Sequence, residues 1–495
     1  MKETSHKKVK DAIVIGAGIG GIATAIRLAV KNYAVNVFEA NNYPGGKLSA
    51  IAQDGFRFDA GPSLFTLPNL VDELFLLAGK KPAEHFKYKR LETICHYFYE
   101  DGTRINAPKD RALFAQEIEK NTDESADKVL AFLKNSEKVY NITAPVFLEK
   151  SLHKAATYFN KTTAKSMLHL SSIKAFESMN SQNEKYFSDP RIIQLFNRFA
   201  TYNGSNPYVA PATLNVIPHL EHHLGAYYPE DGMYAITQSL FELATSLGVQ
   251  FHFGQKVDKI LIKNKKTIGV KIGNNVEKSD LVVSNMDVFF TYKNLLADQT
   301  QPHKILRQEK SSSGLIFYWG VNTQTPQTGL HNIFFSKDYQ AEFDHIFTKK
   351  TMYHDPTVYL NISSKLSAEH APTGCENWFI LLNAPHLTDA QNWTQLIAEA
   401  KENVLAKLSR LLDLDVAPLI QTEAVLDPRS IQSKTASHLG ALYGTSSNDR
   451  MAAFARHPNF SKKIKGLYFV GGSVHPGGGI PLSLLSAKIV GEMVV

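Results

Sequence analysis

Apolar positions change period repeatedly along the chain. The run DAIVIG (residues 11–16) leads into GAGIGGIATAIRLAVK and then into YAVNVFEA, a pattern that predicts strand, tight glycine turn, helix and second strand. Helical spacing recurs in ADKVLAFLKNSEKVYNI, in ITQSLFELATSLG, which ends on Gly248, and in QLIAEAKENVLAKLSRLLDL. FRFD reads as a short hairpin. GLIFYWGVN, NWFILLNA and LVVSNMD read as strands, and VQFHFGQKVDKILI as one long strand. Near the C-terminus LYFVGG reads as a buried strand, followed by a glycine-rich turn and an apolar helix.

Two uncharged runs could suggest membrane spans. AIVIGAGIGGIATAI (12–26) is too short, and the stretch from residue 467 is broken by Pro476, Pro481 and a glycine cluster, so no transmembrane helix is expected. MKETSHKKVKD carries no secretory h-region or cleavage site. The 495 residues, 43% hydrophobic and 20% charged, fit a globular chain large enough for two cores. A net charge of +7 suits an anionic surface but selects no partner, and no nucleic-acid role is assigned. Cys95 and Cys375 stand far apart without metal or redox spacing, which fits a reducing cytoplasm.

The first turn carries the chemistry. Gly16, Gly18 and Gly21 form GxGxxG, in which Gly16 permits the turn, Gly18 lets a pyrophosphate approach the backbone and Gly21 allows close packing of helix on strand. Ile19 and Gly20 begin the helix whose free N–H groups face the phosphates. Glu39, ahead of Ala40 at the end of the second strand, stands where a carboxylate accepts from an adenosine ribose and argues against a 2′-phosphate.

The segment after Glu39 favours a flavin. Gly45-Gly46-Lys47 and Gly61-Pro62-Ser63 make the chain resemble the flavoprotein group of amine oxidases, protoporphyrinogen oxidases and carotenoid desaturases. That resemblance implies FAD, with Lys47 at its pyrophosphate or ribityl side and the Gly61 region near its ring. It also implies that Val257 brackets the adenine and that LVVSNMD, with Asn285 and Asp287, returns to the dinucleotide domain. Pro229-Glu230-Asp231-Gly232 departs from the group's P-x-GG by an aspartate. GGSVHPGGGIPL (471–482) resembles the C-terminal signature of bacterial and fungal carotenoid desaturases, placing Gly472, Ser473, Gly479 and Ile480 at the flavin. Val474, Gly478 and Leu482 depart from the usual residues, and HPGGGIPL is closer to the branch that desaturates hydroxylated carotenoids at the 3,4 bond.

The expected fold is α/β (α+β overall). A discontinuous Rossmann-like FAD domain of the amine oxidase/GDI type would comprise 8–75, 225–300 and 425–495. A mixed sheet-and-helix substrate domain would comprise 76–224 and 301–424. The expected activity is FAD-dependent carotenoid desaturation. A phytoene or other carotene desaturase is one alternative; an amine or porphyrinogen oxidase, or a flavin-free binding protein like the Rab GDP-dissociation inhibitors, are alternatives of another class. His475 is the tempting base, although a His-Pro in a glycine turn equally suits orienting backbone. His219, His222 and His223 in PHLEHH have helical metal spacing beside Glu221, but flavin chemistry needs no metal, and a structural cluster is favoured. In KSLHKAATYFNKTTAKSMLHLSSIK (150–174), a continuous helix would put Lys150, Lys154, Lys161 and Lys165 on one arc opposite Leu152, Phe159 and Leu170. Such a helix would seat the protein peripherally on the anionic inner face of a membrane.

Overall fold

The computed structural model describes residues 10–159, 174, 176–449 and 451–494. Its first sheet is parallel and five-stranded, in the order Leu467–Phe469, Leu281–Ser284, Lys10–Ile15, Tyr33–Phe38 and Gln250–His252. Strands more than 400 residues apart in sequence therefore share one sheet, because central strands such as Lys10–Ile15, buried on both faces, need covers that no single segment supplies. Helices Ile19–Val30, Asn69–Leu77, Ala235–Ser246 and Ile480–Met493 pack together on one side through Val14, Ile22, Leu74, Leu240 and Leu484. On the other side a three-stranded antiparallel sheet, Lys259–Lys263, Lys266–Ile272 and Asn275–Lys278, presses Ile260 and Val270 against Ile13 and Val282. Alternate residues of the same strands thus serve the two cores.

The second sheet has seven strands, in the order Ile420–Leu426, Ser313–Val321, Glu376–Ala384, Val358–Ile362, His331–Phe334, Thr93–Phe98 and Arg104–Pro108. It is antiparallel except where His331–Phe334 runs parallel to Thr93–Phe98. Ser313–Val321 is buried throughout. Leu315, Phe317 and Trp319 pack with Val404 and Leu408 of helix Trp393–Leu412, while Ile316 and Tyr318 turn to the hairpin Ala50–Gln53/Phe56–Asp59. A third core joins helices Arg111–Asn121, Ala126–Phe147 and Pro190–Asn197 through Phe114, Phe132 and Phe196. The strand Ile420–Leu426 runs across the expected 424/425 boundary.

Two expectations are corrected here. VQFHFGQKVDKILI is not one strand: Gln250–His252 closes the parallel sheet and Lys259–Lys263 starts the three-stranded one. Gly254 (φ 67°) breaks the run, its N–H held by the Asn41 carbonyl at 3.0 Å, and leaves Val257 in the link. The helix expected over 150–174 is not continuous either. Residues 151–159 form turns around a 3₁₀ turn at Ala155–Thr157, because Thr157 Oγ1 donates to the Ser151 carbonyl at 2.6 Å and Tyr158 Oη to that of Leu152 at 2.8 Å. Lys150 pairs instead with Glu492 at 3.2 Å. Lys161 and Lys165 lie outside the described residues.

Candidate active site

A cavity of about 1750 Å³ runs between the two sheets. Small-molecule pockets usually span roughly 300–1,000 Å³, so this one has room for a cofactor and a large substrate together. One end is built by glycines converging on Asn285. A Cβ on Gly18, Gly20 or Gly471 would come within 2.6–2.8 Å of the Asn285 side-chain amide. Gly16 adopts φ 96°, a left-handed turn costly for any other residue. Gly21 does not line the cavity; its Cβ would meet the Gly16 carbonyl oxygen at 2.1 Å, so its role is packing. Glu39 is buried, and its carboxylate accepts from the N–H groups of Ala17 at 2.7 Å and Asn41 at 2.8 Å.

The C-terminal glycines meet this turn from the other side. A Cβ on Gly478 would strike Tyr443 Cα at 2.6 Å, whereas Gly479 (φ 107°) faces open space at the start of helix Ile480–Met493. Neither that helix nor Ile19–Val30 has a side-chain cap, so both present bare N–H groups to the cavity. Ser473 Oγ accepts from the Val288 N–H at 3.0 Å, tying the last segment to the return strand. Asp287 caps the following turn, accepting from Phe289 N at 2.8 Å and His438 N at 3.3 Å. Burial raises its carboxyl above the usual range.

Gly16, Gly18, Ile19, Gly20, Glu39 and Ala40 all line the cavity. So do Gly46, Lys47, Gly61, Pro62, Ser63 and Val257, and likewise Asn285, Asp287, Gly472, Ser473, Gly479 and Ile480. Lys47 Nζ donates to the Leu442 carbonyl at 2.7 Å, and burial lowers its ammonium to about 8 against the nearby Asp287. Uncapped helix ends, a cation and a ribose-type carboxylate around open space fit an anionic dinucleotide flavin.

His475 is not among these residues. It is buried behind the cavity wall, where Nε2–H donates to the Lys150 carbonyl at 2.8 Å, and burial pulls its imidazole down to about 4. The geometry orients backbone and offers no base to a ligand. The histidines of PHLEHH divide: His222 stacks on Phe114 at 4.5 Å, while His219 and His223 stay together, stacked at 4.6 Å, with Glu137 near enough that the three ligand atoms lie within 4.8 Å of one another. Glu221 instead pairs with Arg198 at 2.9 Å, both buried on the cavity wall. Sequence reading missed Arg198, His331 and Tyr359 at this wall. Arg198 alone left a signal, as a lone cation in the apolar run IIQLFNRFA.

Residues 19–302 match the flavin containing amine oxidoreductase family. Over 486 residues the chain is 52% identical to 1-hydroxycarotenoid 3,4-desaturase of Flavobacterium sp. (strain P99-3), covering 98% of this chain and 99% of that protein. The chain belongs to the flavin containing amine oxidoreductases, in their carotenoid desaturase branch. It is also 35% identical to a Methylomonas sp. 4,4'-diapolycopene oxygenase, over 98% of this chain and 97% of that one. Among solved structures, a putrescine oxidase triple mutant superposes with a TM-score of 0.64 at 13% identity, covering 98% of both chains. An oxidoreductase from Methanosarcina mazei superposes with a TM-score of 0.59 at 16% identity, covering 98% of this chain and 99% of that one. These two likenesses concern the fold, the amine oxidase type, and a flavin is the cofactor this family uses.

Proposed function

We propose that the protein is an FAD-dependent desaturase that introduces the 3,4 double bond into a 1-hydroxylated carotenoid. The observation that carries this reading is the 52% identity along nearly the whole chain to a protein of that name, joined to one cavity that accommodates both a dinucleotide and a long apolar molecule. The two glycine-rich turns and bare helix ends would hold the pyrophosphate, Glu39 the ribose and Lys47 the cofactor's negative charge. Residues 8–75, 225–300 and 425–495 form the flavin domain on this reading, since every strand of the parallel sheet falls within them.

Bound flavin supplies a hydride acceptor. The chain's part is to orient the polyene and exclude water: Ile316, Ile333, Phe379 and Leu381 of the seven-stranded sheet give the cavity an apolar wall. Conjugation spreads positive charge along the polyene, so the second hydrogen leaves as an acidic proton and a strong base is not required.

Carotenoids dissolve in bilayers, and Phe176, Met451 and Phe454, which line the cavity, are 79%, 57% and 39% exposed. We read this rim as a peripheral contact with an anionic membrane on the cytoplasmic side. No helix among the described residues is long and apolar enough to cross a membrane. The test of function is expression in cells that accumulate different carotenes, with chromatography of the pigments. New 3,4-unsaturated pigment, most of it where a 1-hydroxylated carotene is present, supports the reading; unchanged pigments in every strain overturn it.

A further inference from the structure

One spot on the cavity wall is polar in an ordered way. Ser63 Oγ lies 2.7 Å from Tyr359 Oη, which lies 2.7 Å from His331 Nδ1. Ser63 and Tyr359 are partly exposed at the cavity, with His331 buried behind them. Asn361 Nδ2, which only donates, stands 3.2 Å from the same His331 Nδ1 and 3.1 Å from the Leu330 carbonyl oxygen. Nδ1 is therefore the ring's acceptor, and burial, which lowers the imidazole to about 4, keeps it so at neutral pH.

The direction of the row is set by that acceptor. Tyr359 O–H donates to His331, the Tyr359 oxygen accepts from Ser63 O–H, and Ser63 shows the cavity only lone pairs. Toward a ligand it can accept a hydrogen bond and cannot give one. The nearest charges, Arg198 and Glu221, are paired with each other at 2.9 Å, so the spot offers no free carboxylate to an ammonium and no free cation to an acid. A neutral O–H group matches it.

We propose that the Ser63–Tyr359–His331 row is the subsite for the hydroxyl of an alcohol-bearing polyene, with Ser63 Oγ accepting its hydrogen bond. The assignment rests on the desaturase reading above. In a 1-hydroxylated chain the hydroxyl carbon is two bonds from the C3–C4 bond. Holding the hydroxyl at Ser63 therefore fixes the reacting bond beside Gly61-Pro62-Ser63. Tyr359 and His331 are positioning residues: they commit the Ser63 proton inward.

The test uses the full-length flavin-loaded protein and two carotenes in phosphatidylcholine vesicles, identical except for the hydroxyl. Loss of one neutral hydrogen bond predicts that Ser63→Ala lowers kcat/KM about tenfold more for the hydroxylated carotene than for the hydrocarbon. Ser63→Thr restores the preference, and Tyr359→Phe weakens it by freeing the Ser63 proton, with the flavin spectrum intact in each. An equal fall for both carotenes, or a preference untouched by Ser63→Ala, overturns the subsite while leaving the desaturase reading standing. Wild-type protein that turns over neither carotene overturns that reading and the subsite with it.

Discussion

The Glu39 carboxylate accepts a hydrogen bond from the Ala17 N–H at 2.7 Å, locking the end of the second strand to the glycine turn after the first. Its oxygens keep lone pairs for a ribose while organising the turn that faces the pyrophosphate. Glu39→Ala should therefore weaken flavin binding by about tenfold or more, since bonds to a charged acceptor contribute roughly 1.5–3 kcal/mol. Titration of the apoprotein with FAD measures it; unchanged affinity would contradict the assignment.

Gly18 and Gly21 should fail differently. A methyl group added at Gly18 meets the movable end of Asn285 at 2.6 Å, whereas one added at Gly21 meets a backbone carbonyl at 2.1 Å. Gly21→Ala should cost about 1–3 kcal/mol of stability, seen as a lowered thermal midpoint. Gly18→Ala should leave the midpoint nearly unchanged and lower the flavin-to-protein ratio.

Lys47 gives flavin binding a pH dependence. Burial lowers its ammonium to about 8, so the cation that attracts an anionic cofactor is present below that pH and lost above it. FAD affinity should fall as pH rises through 8 in the wild type, and Lys47→Met should bind more weakly with no such fall. Fluorescence titration across that range distinguishes the two.

His475 should prove structural. Its side chain holds the Lys150 carbonyl, so His475→Ala should retain turnover per bound flavin while losing about 1–3 kcal/mol of stability. Its imidazole is pulled below the ordinary value to about 4, so its contribution is complete above about pH 6.5 and is lost as pH falls toward 4. Thermal melts of both proteins over that range should show a shallower slope in the variant, because other buried histidines such as His331, also lowered to about 4, contribute to both. Loss of turnover in flavin-loaded His475→Ala would contradict the assignment.

The dinucleotide end was legible because its chemistry lies in local words: Gly16 to Gly21, Glu39, and Gly471 to Gly479 each need a particular backbone shape next to one another in sequence. The substrate wall was not, because Arg198, His331 and Tyr359 come from three distant segments: sheet pairing sets His331 opposite Asn361 and so beside Tyr359, and Arg198 arrives from a separate 3₁₀ turn. Periodicity found the long helices Ala126–Phe147 and Trp393–Leu412 but overran at residues 151–159, where side-chain hydroxyls take the carbonyls a helix would use. The metal spacing of His219, His222 and His223 is real along the chain. A five-residue π-turn at Leu220–Leu224 accompanies the turning of His222 away from His219 and His223, which stay stacked.

Hydride transfer from a 1-hydroxylated carotenoid to bound flavin is tested directly by one half-reaction. The purified flavin-loaded protein is mixed anaerobically with the hydroxylated carotene in vesicles, and the flavin and polyene absorbances are followed together. Bleaching of the oxidised flavin band in step with a red-shifted polyene, one new double bond per flavin, is the predicted result. A flavin that stays oxidised while the carotene remains unchanged would contradict it.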